Sequence, residues 1–390
     1  ALKAFRHDAK GPKIKRPSHI FLIVGESYSQ PYFDPDFADL HIADEGKKFM
    51  ADAHTASIHT ALSAGIISRP SIVSLMLGIF DAGLELNERE AFWQGTMPTS
   101  LPLQLRRLGY ETNYWYGGSL SNGNFSYFAP ACGFDHVYSA IDICDSDAPR
   151  SWVGVYDHIF LNKTAEIITQ RTSDVPQFHF IYTTSNHGPY KMPLHELGFD
   201  GEKIMKVGQD VLNEKIIPKV LGTFWYSDRA INQFIQTMKK FYPDSLFIVT
   251  GDHGFQCSEL QHTSFMKREY TFRELHSPVL MFHHPELDKK SLAGNYIGGH
   301  MNILPTIFEL IAPAGFTYYS LFHSLTTPIS QCVTPYHWVN KECIGACHED
   351  YYQLLTAQSG ADVLQGGAPY DDICEAEKSL TAYLLQHPGL

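Results

Sequence analysis

Apolar residues in this chain fall into short runs divided by polar turns. Residues 19–24 form a nearly unbroken apolar run closed by Gly25, the pattern of a strand buried on both faces of a parallel sheet. Residues 111–116, 178–183, 245–250 and 278–282 predict further strands. Apolar positions three and four apart predict helices over 101–108 (entered through Thr99 and Ser100), 156–170, 221–240 and 301–311. Residues 53–62 read as polar and then helical. Strands alternating with helices give an α/β fold: a central, mostly parallel sheet flanked by helices on both faces. The main domain is expected over 18–315, behind an N-terminal tail at 1–17. Beyond about residue 315 the alternation stops, and 316–390 is expected to be a Cys-rich C-terminal extension or cap. No internal repeat or low-complexity segment interrupts the chain.

Composition narrows the function. With 390 residues, 44% hydrophobic and 18% charged, the chain can bury a large core and carries no long disordered stretch. Its formal net charge of −12 offers no broad basic face, so nucleic acid is excluded as a partner. The one basic run is Lys3, Arg6, Lys10, Lys13, Lys15 and Arg16. It reads as a solvated tail or, alternatively, as a juxtamembrane segment beside anionic lipid. No apolar run reaches the roughly 18–20 residues that span a bilayer. The chain begins at Ala without a signal peptide, as a processed or truncated piece of a longer protein would. Seven cysteines suit an oxidising compartment. A local Cys132–Cys144 bridge is expected. Cys332, Cys343, Cys347 and Cys374 would supply two more bridges of open connectivity, with Cys257 left as a free thiol. Zinc ligation by Cys343, Cys347 and His348 fits less well, because the tighter paired CxxC spacing is missing.

Candidate chemistry lies at strand ends, where open α/β sheets form their sites. Gly25-Glu26-Ser27 follows the first strand, and Thr250-Gly251-Asp252-His253-Gly254 follows the strand at 245–250. Alone, Glu26 reads as a cap or surface charge. Together the two motifs aim carboxylates and an imidazole into one crevice, a donor set that suits zinc or manganese. Ser185-Asn186-His187-Gly188-Pro189-Tyr190 follows a third strand and brings His187 to the same edge. A nucleophile is expected at Thr55. A hydroxyl at a helix N-terminus would meet a phosphate there, and a bound cation would lower its pKa. The plain alternative for Thr55 is a helix N-cap.

The order GES, a Thr-led helix, SNHGPY and TGDHG resembles the alkaline phosphatase superfamily, and most of all its sulfatase-like branch of lipoteichoic acid synthases and phosphoglycerol transferases. Gly133-Phe134-Asp135, His276-Ser277-Pro278-Val279-Leu280 and the run from Gly298 to Thr306 extend the resemblance over about 18–315. In the last run Asn302 stands where the branch has Asp. The resemblance implies that Glu26, Thr55, Asp252 and His253 hold one divalent ion, Mn2+ or Zn2+ with Mg2+ as a further fit. It also implies that Thr55 becomes transiently phosphorylated, and that His187, His262 and Asn124 contact substrate. Lipoteichoic acid synthases carry His, Asp and Trp-x-Arg ahead of their Gly-aromatic-Asp motif, whereas this chain has Tyr116-Gly117-Gly118 and Asn122-Gly123-Asn124-Phe125. His54 replaces the basic residue before the nucleophile. The sulfatase pattern C/S-x-P-x-R is not expected here, because Ser68-Arg69-Pro70-Ser71 reads in the wrong order.

The implied activity is transfer of a phospholipid head group to a glycan or lipid hydroxyl at a membrane surface, outside the cytoplasm. Phosphoethanolamine transfer and phosphodiester hydrolysis use the same machinery. The reading from another class is a non-catalytic lipid-binding domain, which would have lost part of the quartet.

Overall fold

The computed structural model describes residues 2–93, 97–202, 217–254, 271–293, 296–357, 363–366 and 369–386. In chain order the strands are Arg6–Asp8 (β1), His19–Gly25 (β2), Thr55–Ser57 (β3), Thr60–Leu62 (β4), Glu111–Tyr116 (β5), His136–Ser139 (β6), Gln177–Tyr182 (β7), Leu246–Gly251 (β8), Leu280–His283 (β9), Ile297–Gly299 (β10) and Thr317–Tyr319 (β11). Seven of them form one sheet in the order β3-β9-β8-β2-β7-β5-β6. The block from β8 to β6 is parallel, while β9 runs against β8 and β3 against β9. The α/β architecture expected from the alternation of runs is therefore present, with two short strands added at one edge.

Period-two alternation sends neighbouring side chains of each strand to opposite faces, and both faces are covered. Ile20, Leu22, Val24, Phe180 and Ile248 pack on the side of helices Ser68–Leu77, Leu101–Arg107, Phe125–Cys132 and Ile303–Ile311. Phe21, Ile23, Ile181, Phe247 and Val249 pack on the side of helices Asp157–Gln170 and Ile217–Phe241. Every residue of β2 is buried, which is why its sequence carries no polar alternation.

The stretch 53–62 departs from the helical expectation. It forms β3 and β4, which pair with β9 and β10. Its Thr and Ile residues are β-branched and favour extended backbone. The helix begins later, at Ser68. Ile67 enters it in extended conformation, Pro70 sits in its first turn, and Gly78 ends it at φ 68° with its N–H bonded to Ser74 O.

The N-terminal basic stretch lies against the body. β1 pairs with β11, and Ala9 and Ile14 are buried. After β11 comes a separate antiparallel sheet of Gln331–Val333 (β12), His337–Asn340 (β13), Cys343–Ala346 (β14), Tyr351–Leu354 (β15) and Val363–Gln365 (β16), followed by helix Asp371–Gln386. A Cys347–Cys374 disulfide ties that helix to the sheet. The other expected bridges are not formed among the described residues. Cys132 packs into the core on one face of the main sheet, whereas Cys144 packs against the core on the other. Cys332 and Cys343 lie on strands separated by β13, about 10 Å apart at ordinary strand spacing and beyond the reach of a disulfide. Cys257 lies outside the described residues. Among those residues no helix is long and apolar enough to cross a membrane.

At the amino end of the sheet, Trp115 Nε1 donates to His179 Nδ1 at 3.2 Å, and His179 Nε2 meets His19 Nδ1 at 3.1 Å. Indole nitrogen only donates, so His179 carries its proton on Nε2 and His19 on its own Nε2. Burial pushes His19 down to about 4 and His179 well below its usual value. Both rings fold neutral. Their stabilisation is fully present above about pH 6.5 and is lost as pH falls toward about 4, where the unfolded chain takes up protons that the folded chain refuses. Nitrogen-detected NMR of the imidazoles should show these two tautomers unchanged from pH 8 to pH 5.5. An imidazolium at either position at pH 6 would overturn this assignment.

Candidate metal centre

The site assembles at the carboxyl ends of β2, β7 and β8. Gly25 and Gly251 are paired in register, so the next residues, Glu26 and Asp252, emerge side by side. The chain turns sharply behind Glu26, with Ser27 at φ 50°. Tyr28 packs across both strand ends, and a Cβ on Gly25 would stand 2.8 Å from that of Tyr28. Asp252 Oδ1 accepts from Ser27 N at 2.7 Å and from His253 N at 2.9 Å, which leaves Oδ2 to face the site. His253 Nδ1 donates to Gly254 O at 2.7 Å, which fixes the tautomer and leaves Nε2 as a free donor atom.

The three side chains converge. His253 Nε2 lies 3.7 Å from Glu26 Oε1 and 3.6 Å from Asp252 Oδ2, and all three residues are buried. Ligands about 2.1 Å from a tetrahedral ion stand about 3.4 Å from one another, so two carboxylates and one imidazole at this spacing fit a divalent cation. Burial, and then the charge of Asp252, raise Glu26 to about 7. For His253 burial acts downward, but Asp252 and Glu26 outweigh it and the net shift is upward. The phenol of Tyr182, at the end of β7, bridges the carboxylates at 2.9 Å from Glu26 Oε2 and 3.2 Å from Asp252 Oδ2.

Thr55 is not brought to this cluster. It sits level with His283 and Phe247, near the opposite end of the sheet strands from Asp252, and its Oγ1 bonds His283 Nδ1 at 3.0 Å. Ser27 Oγ donates to Glu26 Oε1 at 3.1 Å, but the serine hydroxyl that spans Glu26 and His253 is that of Ser68. Its Oγ lies 3.3 Å from His253 Nε2 and 3.4 Å from Glu26 Oε2, at the first residue of its helix. Counted from Ser68, the run Ser68-Arg69-Pro70-Ser71-Ile72 does place Ser and Pro at the first and third positions of the sulfatase pattern. Buried Ile72 replaces its Arg. The signal in the sequence was a Ser opening an apolar stretch, with Pro70 two residues on and Gly78 closing it.

The Ser68 helix is pinned to the metal residues. Ser71 Oγ donates to Asp252 O and accepts from Gly65 N. His300 Nδ1 accepts from Ala64 N at 3.1 Å, and its Nε2 meets Gly251 O at 2.8 Å. Asn186 Nδ2 donates to Glu26 O at 3.1 Å.

A cavity of about 570 Å3 opens from Glu26 and Ser68. His187, one of the candidate substrate residues, lies on its wall. Asn124 does not. Its amide is bonded to Glu88, and Asn122 takes the place on the wall, with Arg69 donating to its side chain at 3.2 Å. Tyr116, Glu88 and Tyr336 of the C-terminal extension are further lining residues. His262 lies outside the described residues.

A sulfatase family model matches residues 18–312. Among solved structures, an alkaline phosphatase superfamily protein from Vibrio parahaemolyticus is similar at 17% identity and TM-score 0.71, over 97% of this chain and 90% of that one. The lipoteichoic acid synthase LtaP from Listeria monocytogenes is similar at 15% and 0.65, over 97% and 92%. The zinc complex of the C-terminal periplasmic domain of EcEptC from Escherichia coli is similar at 15% and 0.58, over 82% and 88%.

Metal ligation requires Glu26 deprotonated, and its raised pKa makes protons compete below about pH 7. Titration calorimetry with Mn2+ or Zn2+ should therefore show affinity falling by up to about tenfold per pH unit below pH 7, with proton release. Asp252→Ala should retain no ion on elemental analysis. Stoichiometric metal in that variant would remove Asp252 from the ligand set.

Proposed function

The chain belongs to the sulfatase family, and from that premise we propose that it is a metal-dependent phosphotransferase with Ser68 as its nucleophile. The carrying observation is the Ser68 hydroxyl at 3.3 and 3.4 Å from two candidate metal ligands. Glu26, Asp252 and His253 would hold one divalent ion, Zn2+ or Mn2+ by the chemistry of two oxygens and one nitrogen. Such an ion polarises a phosphoryl oxygen and acidifies a neighbouring hydroxyl. With Ile72 in place of the sulfatase Arg, Ser68 acts as an unmodified alcohol.

Ser68 Oγ forms a bond to phosphorus while the bond from phosphorus to the donor's glycerol oxygen breaks. The Ser68 proton ends on that leaving oxygen, which departs as diacylglycerol. In the second half an acceptor hydroxyl attacks the phosphorylated serine, and its proton returns to Ser68. The helix N-terminus under Ser68 favours the anionic phosphate, and Tyr182 holds the two carboxylates in place. His187, on the cavity wall, orients the transferred group or the acceptor.

The donor is a phospholipid head group of the phosphoglycerol type, and the acceptor a glycan or lipid hydroxyl. The setting is a membrane surface outside the cytoplasm, in keeping with the periplasmic neighbour and the disulfide. Residues 18–315 would carry the reaction, with the extension from 316 closing one wall through Tyr336. A phosphoethanolamine donor is the second reading, favoured by Glu85 and Glu88 on the cavity lining, which would suit an ammonium group. A non-catalytic lipid-binding role is disfavoured by the intact grouping of Glu26, Ser68, Asp252 and His253.

Vesicles containing phosphatidylglycerol or phosphatidylethanolamine should release diacylglycerol with the metal-loaded protein. Ser68→Ala should lower turnover by about 10^3-fold or more while keeping the metal, and Thr55→Ala should change it by less than about threefold. Normal turnover in Ser68→Ala would sink this assignment.

A further inference from the structure

The cavity above Ser68 has a neighbour of opposite charge. Among the described residues, Glu26, Asp81, Glu85 and Glu88 face the first cavity against the single cation Arg69. A second cavity, of about 260 Å3, shares two wall residues with it, Trp152 and His187. Its other lining includes Arg150, Lys191, Ser185 and Tyr156, and no carboxylate among the described residues. In a chain of net charge −12, a concave surface with two cations and no acid among the described residues is a local inversion.

Both cations are available. Arg150 spends Nε on Ala148 O at 3.1 Å and Nη2 on Ser146 O at 2.6 Å, which orients the guanidinium without neutralising it. Among the described residues neither Arg150 nor Lys191 has a carboxylate within ion-pair distance. Arg150 keeps further N–H donors for a ligand, because the guanidinium has five.

The partition is anchored to one carbonyl. Trp152 Nε1 donates to Gly188 O at 2.8 Å, His187 Nδ1 meets the same oxygen at 2.7 Å, and the two rings stand edge to face at 5.2 Å. Trp152 is nevertheless 70% exposed, a large apolar surface standing between the two cavities. A molecule that reaches around it would have one end at Ser68 and the other at Arg150 and Lys191.

We propose that the Arg150–Lys191 cavity is an acceptor subsite that binds an anionic group, phosphate or carboxylate, on the molecule whose hydroxyl receives the transferred group. The proposal rests on the phosphotransfer reading of Ser68. The donor's own phosphate is taken up at the metal centre, so the second anion belongs to the acceptor. Trp152 covers the acceptor between its two polar ends, and His187 marks where it crosses to the reaction centre.

The test uses three small acceptors with the metal-loaded enzyme and a phosphatidylglycerol donor: glycerol, glycerol 3-phosphate and glycerate. Both anions should have KM values at least about tenfold below that of glycerol, rising with added salt. A preference for one anion alone would identify the group as phosphate or as carboxylate. Lys191→Glu and Arg150→Glu should each raise the KM for the anionic acceptors by about tenfold. Hydrolysis of the donor by water and the KM for glycerol should stay unchanged. Lys191→Gln and Arg150→Gln serve if charge reversal lowers the melting temperature. Direct binding of glycerol 3-phosphate, measured by calorimetry on Lys191→Glu/Arg150→Glu and on the unaltered protein, separates the two readings. Loss of binding in the double variant without any donor turnover would keep the anion subsite and remove the phosphotransfer reading. Equal binding in both proteins would overturn the subsite whatever the enzyme does.

Discussion

Two carboxylates buried side by side at the ends of neighbouring parallel strands are the constraint on which this structure depends. The register between β2 and β8 pairs Gly25 with Gly251, so Glu26 and Asp252 have no freedom to separate. Water cannot screen them there, and burial with mutual repulsion lifts Glu26 to about 7. Backbone N–H groups of Ser27 and His253, and the phenol of Tyr182, offset part of the cost. They remain dipoles set against two formal charges. A divalent cation is the compensation that the donor set and its spacing fit. The glycines follow from the same constraint, since Tyr28 crosses both strand ends and a Cβ on either would meet it.

Placing a hydroxyl beside such a centre is a separate problem, and here a helix terminus solves it. Ser68 is not part of the sheet, so its position relies on contacts made across the strand ends. Ser71, Gly65, His300 and Ala64 link the start of the Ser68 helix to the backbone of Gly251 and Asp252. Each link joins a buried side chain to a main-chain group, where an unmade bond is costly. The His300 segment, which the sequence marks only as a matching run, thus acts as a strut between the approach to the Ser68 helix and the end of β8.

How much was legible in the residues follows from how strongly each segment is buried. β2 and β8 could be read closely because burial on both faces favours near-continuous apolar runs, and β5 and β7 because aromatic residues crowd them. Glu26 and Asp252 followed from them, since strand ends of an α/β sheet are where sites form. β3 and β4 are three residues each, too short for periodicity, and their Thr and Ser residues resemble a helix entrance. That misreading moved the helix forward by thirteen residues and put Thr55, rather than Ser68, at its start. Among the cysteines, Cys347 and Cys374 do bridge in the C-terminal extension, but the Cys132–Cys144 pairing failed for a different reason. Spacing along the chain cannot report that β6 and its flanking turns carry Cys132 and Cys144 to opposite faces of the sheet.

Charge distribution supplies the last step. Phosphotransfer through a covalent intermediate must hold one group at the centre while it exchanges the partner on the other side. A single cavity of one sign would favour donor and acceptor alike and so let them compete. Here the wall above Ser68 is acidic, while the space beyond Trp152 is basic. The boundary between them is a polar carbonyl, Gly188 O, gripped by an indole and an imidazole. That boundary comes from the SNHGPY turn, whose Asn186 also holds the backbone of Glu26. One turn therefore sets both the geometry of Glu26 and the boundary between the two cavities. Under the proposed phosphotransfer, changes in this turn would alter metal binding and acceptor choice together, whereas changes at Arg150 and Lys191, beyond it, would alter acceptor choice alone.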